Sequence, residues 1–223
     1  MAELRVTCIV PTRNEERTIG ELLERIRPHC DEIVVVDSST DSTPERAAKY
    51  ARVVREDQRG KGIALRTGAR EATGDILVFI DADGSHIPED IPELVMPIKE
   101  ARADMVIASR SLGGSEELSG TLNQWFRATA SGVITLIINY RFGSWITDSQ
   151  NGFRAIRRDV FIKLGTTARI FDIETEMLMK ALKQDYTVDE VPSREKRRRY
   201  GSSGINLWWM WYRYAWTTLC NLV

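Results

Sequence analysis

Two carboxylates separated by one residue, Asp81 and Asp83, follow the apolar run Ile76-Leu77-Val78-Phe79-Ile80. Side chains of an extended chain alternate, so both acids point to one side and Ala82 to the other, at the end of a buried strand. Such a pair suits a hard divalent cation. Magnesium takes one or two carboxylates and fills its octahedron with water and substrate phosphates, which makes a diphosphate the natural third partner. A solvated strand-to-turn junction would carry the same two acids, so the surroundings decide.

The elements that position these residues follow from periodicity. Residues 6–10 read as a buried strand, and Ile19, Leu22, Leu23 and Ile26 then recur on one helical face. A second unit runs from a strand over 32–37 through the capping pattern Ser42-Thr43-Pro44-Glu45 into a short helix. Strands are expected over 51–56, 75–80 and 105–109, with helices over 60–73 and 88–102 between them. Strands apolar throughout, alternating with helices, predict an α/β domain: a Rossmann-like, open, mostly parallel sheet covered on both faces. The second half reads as a helix over 121–140, a polar turn over 148–152, a helix over 171–184 and a strand near 187–191. Ligands of such sheets bind beyond the carboxyl ends of the strands. Those ends carry Thr12-Arg13-Asn14-Glu15, Asp37, Asp81 with Asp83, and Ser109-Arg110.

A chain of 223 residues supports one full-sized domain, and a net charge of -1 argues against a nucleic-acid partner held by a global basic field. The three cysteines, Cys8, Cys30 and Cys220, form no Cys-x-x-Cys or Cys/His cluster, so neither a disulfide framework nor a zinc site is expected. No Gly-x-Gly-x-x-Gly follows the first strand, which disfavours NAD. No signal-peptide apolar region opens the sequence, and export by that route is not expected.

Five segments in order carry a resemblance: Val10-Pro11-Thr12-Arg13-Asn14-Glu15, Asp37-Ser38-Ser39-Thr40-Asp41, Arg59-Gly60-Lys61-Gly62, Asp81-Ala82-Asp83-Gly84-Ser85-His86 and Gly152-Phe153-Arg154. Together they resemble the large family of inverting nucleotide-sugar glycosyltransferases with the GT-A fold. Within it they are most similar to the polyprenyl-phosphate sugar synthases, the dolichyl-phosphate mannose synthases above all. The resemblance runs over about residues 6–200. It implies a catalytic domain over 1–200 that moves a hexose, mannose from GDP-mannose, onto a polyprenyl phosphate. A UDP-sugar donor, with a lipid phosphate or a glycan hydroxyl as acceptor, is the alternative; a sugar-nucleotide-binding or scaffold protein without turnover is the rival from another class.

The same resemblance implies roles. Pro11, Thr12, Glu15 and Asp37 hold the nucleoside, and Lys61 adds a cation near the phosphates. Asp81, Ala82 and Asp83 form the metal motif for Mg2+ or Mn2+, with Asp83 the direct ligand and Asp81 contacting sugar or ribose. Two adjacent acids are usual where this chain has Asp37 alone, so the base does not carry over. A lipid phosphate is already an anion and needs positive charge rather than a general base. Arg110, Arg127, Arg154 and the run Arg194-Glu195-Lys196-Arg197-Arg198-Arg199 offer it. Arg127 and Ser131, with Arg199, resemble the acceptor-phosphate contacts. Asp148 falls where relatives place an acid near the sugar, and would serve as base if the acceptor were a hydroxyl. Glu176 reads as the acidic first turn of a helix, while for Glu174 a sugar contact and a helix start both stand.

Residues 205–223 hold four of the six tryptophans, with Arg213 as the sole charge. Asn206, Arg213, Thr217, Thr218 and Asn221 interrupt the segment, which makes it a poor span. Aromatic rings after a basic run predict instead an amphipathic helix over 201–223 lying in the headgroup layer. Residues 121–140 are a second candidate of that kind. The expected location is the cytoplasmic face of a membrane, peripheral or anchored through the C-terminal region.

Overall fold

The computed structural model describes residues 3–115, 122–196 and 207–222, without the side chains of residues 122–128, 130 and 207–211. The first half alternates as expected: β1 (Val6–Thr12), α1 (Ile19–Ile26), β2 (Glu32–Asp37), α2 (Thr43–Ala47), β3 (Arg52–Arg55), α3 (Lys61–Glu71), β4 (Ile76–Phe79), α4 (Ile91–Lys99) and β5 (Met105–Ser109). The second half comprises α5 (Arg110–Gly113), α6 (Leu122–Phe142), β6 (Arg154–Arg157), α7 (Arg158–Leu164), α8 (Ile173–Lys183), β7 (Val188–Pro192) and α9 (Leu207–Asn221).

The strands form one sheet in the order β3-β2-β1-β4-β6-β5-β7. Strands β1 to β4 pair in parallel, as do β5 and β7, while β6 runs antiparallel to both β4 and β5. Alternation divides the strand side chains between two cores. Cys8, Val10, Val35 and Val78 meet α1 and α4 on one face, whereas Ile9, Val34, Val36 and Phe79 meet α3, α7 and α8 on the other. Burial on both faces is what the uninterrupted apolar runs encode.

One region departs from the sequence expectations. Strand β6 and helix α7 lie between the polar turn and α8, where no element was expected. The four residues Arg154-Ala155-Ile156-Arg157 have no strand pattern of their own and are held by pairing on both sides. Their direction has a consequence for the site. Arg154 pairs with Phe79 at the carboxyl end of β4, so the turn over 148–153 arrives at the same edge as Asp81 and Asp83. Helix α1 begins at Ile19. Asn14, in the loop before it, sits at φ 57, the left-handed region that Asn tolerates.

No described helix is long and apolar enough to cross a membrane. The second half of α9 is two-faced: Tyr212, Trp216 and Leu219 are exposed, whereas Thr217 and Thr218 are buried. Its end is fixed to the domain by Arg141, whose Nε donates to the carbonyl of Leu222 at 2.8 Å.

Candidate active site

A cavity of about 510 Å3 opens at the carboxyl ends of β1, β2 and β4. This is the point where strand order reverses, with β2 and β4 on opposite sides of β1, and open sheets bind ligands there. Pro11, Thr12, Glu15, Lys61, Asp81, Ala82 and Asp83 all line it. Arg13, Asn14, Ser38, Glu56, Gln58, Arg59, Ile170 and Phe171 complete much of the wall.

The loop after β1 is latched from two sides. Asn14 N donates to Ser39 Oγ at 2.7 Å, and Glu15 N to Thr43 Oγ1 at 2.9 Å. Thr18 Oγ1 reaches the carbonyl of Ala82 at 2.8 Å, tying this loop to the Asp-x-Asp turn. Asp37, expected to meet the nucleoside, stands beneath the cavity floor. It is fully buried and does not line the cavity. Its carboxylate accepts from Thr12 Oγ1 at 2.8 Å, from Ser39 Oγ at 2.6 Å and from Arg55 Nη1, so it braces the floor beneath Ser38.

The Asp-x-Asp turn begins just beyond β4. Ile80 and Ala82 pack into the first core, and Asp81 and Asp83 reach the cavity. Asp83 Oδ1 accepts from Ser85 N at 3.0 Å and Ser85 Oγ at 2.7 Å, which fixes its rotamer. Asp81 meets Lys61 Nζ at 2.6 Å, and His86 Nε2 lies 3.7 Å away. Lys61 Nζ also lies 2.7 Å from Glu174 Oε1, an ion-pair contact although neither Glu174 oxygen has an aligned hydrogen-bond donor. Burial alone would raise Asp81, but the Lys61 ammonium and His86 outweigh it and hold the carboxyl far below the usual range. Burial would lower Lys61, and Asp81 and Glu174 together raise it instead. Glu174 is pushed up, burial exceeding the help of Lys61 and Arg154. Glu174, whose role the sequence left open, is thus part of the cluster; its partner Lys61 lies on another element, and no local pattern announces it.

Two glycine positions make this cluster possible. The chain at 168–170 crosses the start of α3 so closely that a Cβ on Gly60, at φ +146, would meet the Arg169 carbonyl at 2.1 Å. The Gly-Lys-Gly spacing therefore serves backbone approach as well as presentation of the lysine. At Gly152 a Cβ would stand 2.3 Å from Lys61 Nζ and 2.8 Å from Asp81 Oδ2, so the turn before β6 presses bare backbone against the ion pair.

The acceptor-side expectations fare differently. Arg110 and Asp148 do not line the cavity. They form a two-pronged pair, Nε to Oδ2 at 2.7 Å and Nη2 to Oδ1 at 2.9 Å, with Arg110 Nη1 also 3.5 Å from Glu195. Burial pushes Asp148 up, and the Arg110 guanidinium more than offsets this and lowers it. Arg154, which the sequence offered as positive charge, is fully buried and donates to the carbonyls of Asn151, Glu174 and Ser149, so it holds the turn and α8 together. Glu176 accepts from Thr167 N and Ala168 N, a structural role as expected. Ser131 is half-buried on α6. The side chain of Arg127, all of Arg199 and the side chains of Trp208, Trp209 and Trp211 lie outside the described residues.

Among the described residues no three His, Cys, Asp or Glu side chains gather as a closed metal cage. Asp81 and Asp83 on a cavity wall fit a cation of the kind that takes its other ligands from water and substrate phosphates. A cavity at the strand switch point, lined by two acids and a buried lysine, has the character of a ligand site.

The sequence model of Glycosyl transferase family 2 matches residues 7–165, and the chain belongs to that family. It is 30% identical over 194 residues to the low-salt glycan biosynthesis hexosyltransferase Agl6 of Haloferax volcanii, covering 84% of this chain but only 46% of that one. It is 31% identical over 219 residues to the undecaprenyl-phosphate mannosyltransferase of Micrococcus luteus, covering 91% of this chain and 88% of the relative. Glucosyl-3-phosphoglycerate synthase of Mycobacterium tuberculosis, solved with Mn2+, UDP and phosphoglyceric acid, superposes with a TM-score of 0.80 at 25% identity. That match covers 99% of this chain and 79% of the synthase. The fold is therefore the GT-A fold that the motifs implied.

Proposed function

We propose that this chain is a metal-dependent, inverting glycosyltransferase that moves a hexose from a nucleotide sugar to a polyprenyl phosphate. The observation that carries the acceptor is the state of Asp148. A carboxylate lowered by a buried, two-pronged arginine is a weak base and has no open face toward the cavity. An acceptor that is already an anion needs no such base. The name of the Micrococcus luteus relative supports the same acceptor.

In this reading Pro11, Thr12 and Glu15 bind the nucleoside over the brace made by Asp37. Asp83, with Asp81 beside it, would hold Mg2+ or Mn2+, which would supply Lewis-acid neutralisation of the leaving diphosphate. Lys61 keeps Asp81 ionised and adds positive charge at the same end of the cavity. Arg127, Ser131 and Arg199 bind the acceptor phosphate, and Arg110 orients the segment beside them. A phosphate oxygen attacks the anomeric carbon in line, the bond to the nucleoside diphosphate breaks, and the configuration inverts. Mannose from GDP-mannose is the donor this reading takes. The UDP held by the Mycobacterium tuberculosis neighbour favours a second reading, transfer of glucose or another sugar from a UDP-sugar.

Residues 1–200 form the catalytic domain and 201–223 its seat on the cytoplasmic face of the membrane. Incubation with a panel of GDP- and UDP-sugars and a short polyprenyl phosphate, followed by mass spectrometry of the lipids, tests donor and acceptor together. A product heavier by one hexose is expected, and transfer only to a sugar hydroxyl would overturn the reading.

A further inference from the structure

The turn that leads into α8 joins the cavity to the C-terminal helix. Ile170 and Phe171 line the cavity, and the Phe171 ring centroid lies 5.8 Å from Lys61 Nζ. Glu174, a turn further on, pairs with the same lysine at 2.7 Å. Asp172 stands between these two in the chain. It is 3% exposed, and its two oxygens serve different masters. Oδ1 accepts from the N–H of Ile170 at 3.3 Å and so shapes the wall segment. Oδ2 accepts from Thr217 Oγ1 at 3.0 Å and from Arg213 Nη2 at 3.2 Å, both on α9.

We propose that Asp172 is a positioning residue through which the docked α9 sets the donor wall formed by Ile170, Phe171 and Glu174. The inference rests on the reading of the cavity as a nucleotide-sugar site. A buried carboxylate stripped of its partners must find water or new donors, because an unpaired buried charge is costly. Withdrawal of α9 would therefore turn Asp172 outward and carry the turn at 170–171 with it. Phe171 lies in that turn and Glu174 follows it, so the Lys61 cluster would lose its backing. The C-terminal helix thus contributes to donor binding without touching donor, and its exposed outer face, with Tyr212 and Trp216, is left available to other contacts.

The test is calorimetric titration of the full chain with UDP-glucose or GDP-mannose in the presence of Mn2+, with a thermal melt of every variant. Thr217→Val removes one hydroxyl at nearly constant volume, and Arg213→Ala removes the charge. Both are expected to weaken donor binding about tenfold, or about 1.4 kcal/mol, while Thr217→Ser keeps the hydroxyl and binds as the wild type does. In turnover assays the donor KM should rise and the acceptor KM stay put. Folded variants that bind donor like the wild type would overturn the proposal. Equal loss in the valine and serine variants, in step with a lowered melting temperature, would assign α9 to stability alone and overturn it too. A wild-type chain that binds neither donor would instead refute the reading of the cavity, and this inference with it.

Discussion

At the donor edge Asp81 meets Lys61 at 2.6 Å with about a quarter of its side chain exposed (26%), whereas beyond β5 Asp148 meets Arg110 at 2.7 Å with 4% exposed. Both are carboxylates gripped by a long cation and lowered by it. Access separates them. Asp81 shares a cavity wall with Asp83, so its charge is available to a ligand. Asp148 is closed off by two aligned N–H groups of Arg110 and by the backbone N–H of the same residue. A lowered carboxylate in a family of sugar transferases is thus no sign of a base until its exposure is known.

The sharpest way to break this contrast is at the metal pair. Asp83→Asn keeps the shape of the turn and loses an anionic ligand, so turnover should fall roughly a hundredfold or more. Near wild-type rates at saturating Mn2+ in steady-state assays would remove Asp83 from the metal site. Next comes Gly152→Ala, whose new methyl would stand 2.3 Å from Lys61 Nζ. Displacing the ion pair by even part of an ångström should lower kcat about tenfold, with circular dichroism reporting an intact fold. The acceptor reading makes Arg127→Ala raise the KM for lipid phosphate by about tenfold or more, the worth of one charge-assisted hydrogen bond. The donor KM should hold.

Asp148→Asn sharpens the comparison from the other side. Turnover should change only a few-fold, but unfolding free energy should drop by about 3 kcal/mol because Arg110 loses its buried partner; denaturant melts measure it. The pH dependence has a definite sign. Asp148 is lowered in the folded state, so its stabilisation is present above the ordinary carboxylate pKa of about 4 and is lost as pH falls below that value. The acid limb of a stability profile should flatten in the asparagine variant. The smallest effect on chemistry belongs to the aromatic segment. Serine at Trp208, Trp209 and Trp211 together should weaken co-sedimentation with anionic vesicles, more so with added salt, and spare activity on a short acceptor.

The same two regions differ in how far the sequence discloses them. The parallel half is written in uninterrupted apolar runs with polar residues at their carboxyl ends, and Pro11, Thr12, Glu15, Lys61, Asp81 and Asp83 meet where those ends converge. Asp37 reads as a nucleoside contact at a strand end because nothing local records that Arg55 and Ser39 close over it. Strand β6 is invisible, since two apolar residues flanked by arginines become a strand only between β4 and β5. Its reversed direction is also what brings Gly152 to Lys61 and buries Arg154 among carbonyls. Long-range pairing of this kind leaves no periodic trace.

Whether the acceptor is a phosphate, with Asp148 outside the chemistry, is decided by giving the wild-type and Asp148→Asn chains a short polyprenyl phosphate and the matching free alcohol, with one nucleotide sugar and Mn2+. Glycosyl phosphate product is expected from both chains at rates within a few-fold, and none from the alcohol. Transfer to the alcohol that disappears in the Asp148→Asn chain would overturn the phosphate reading.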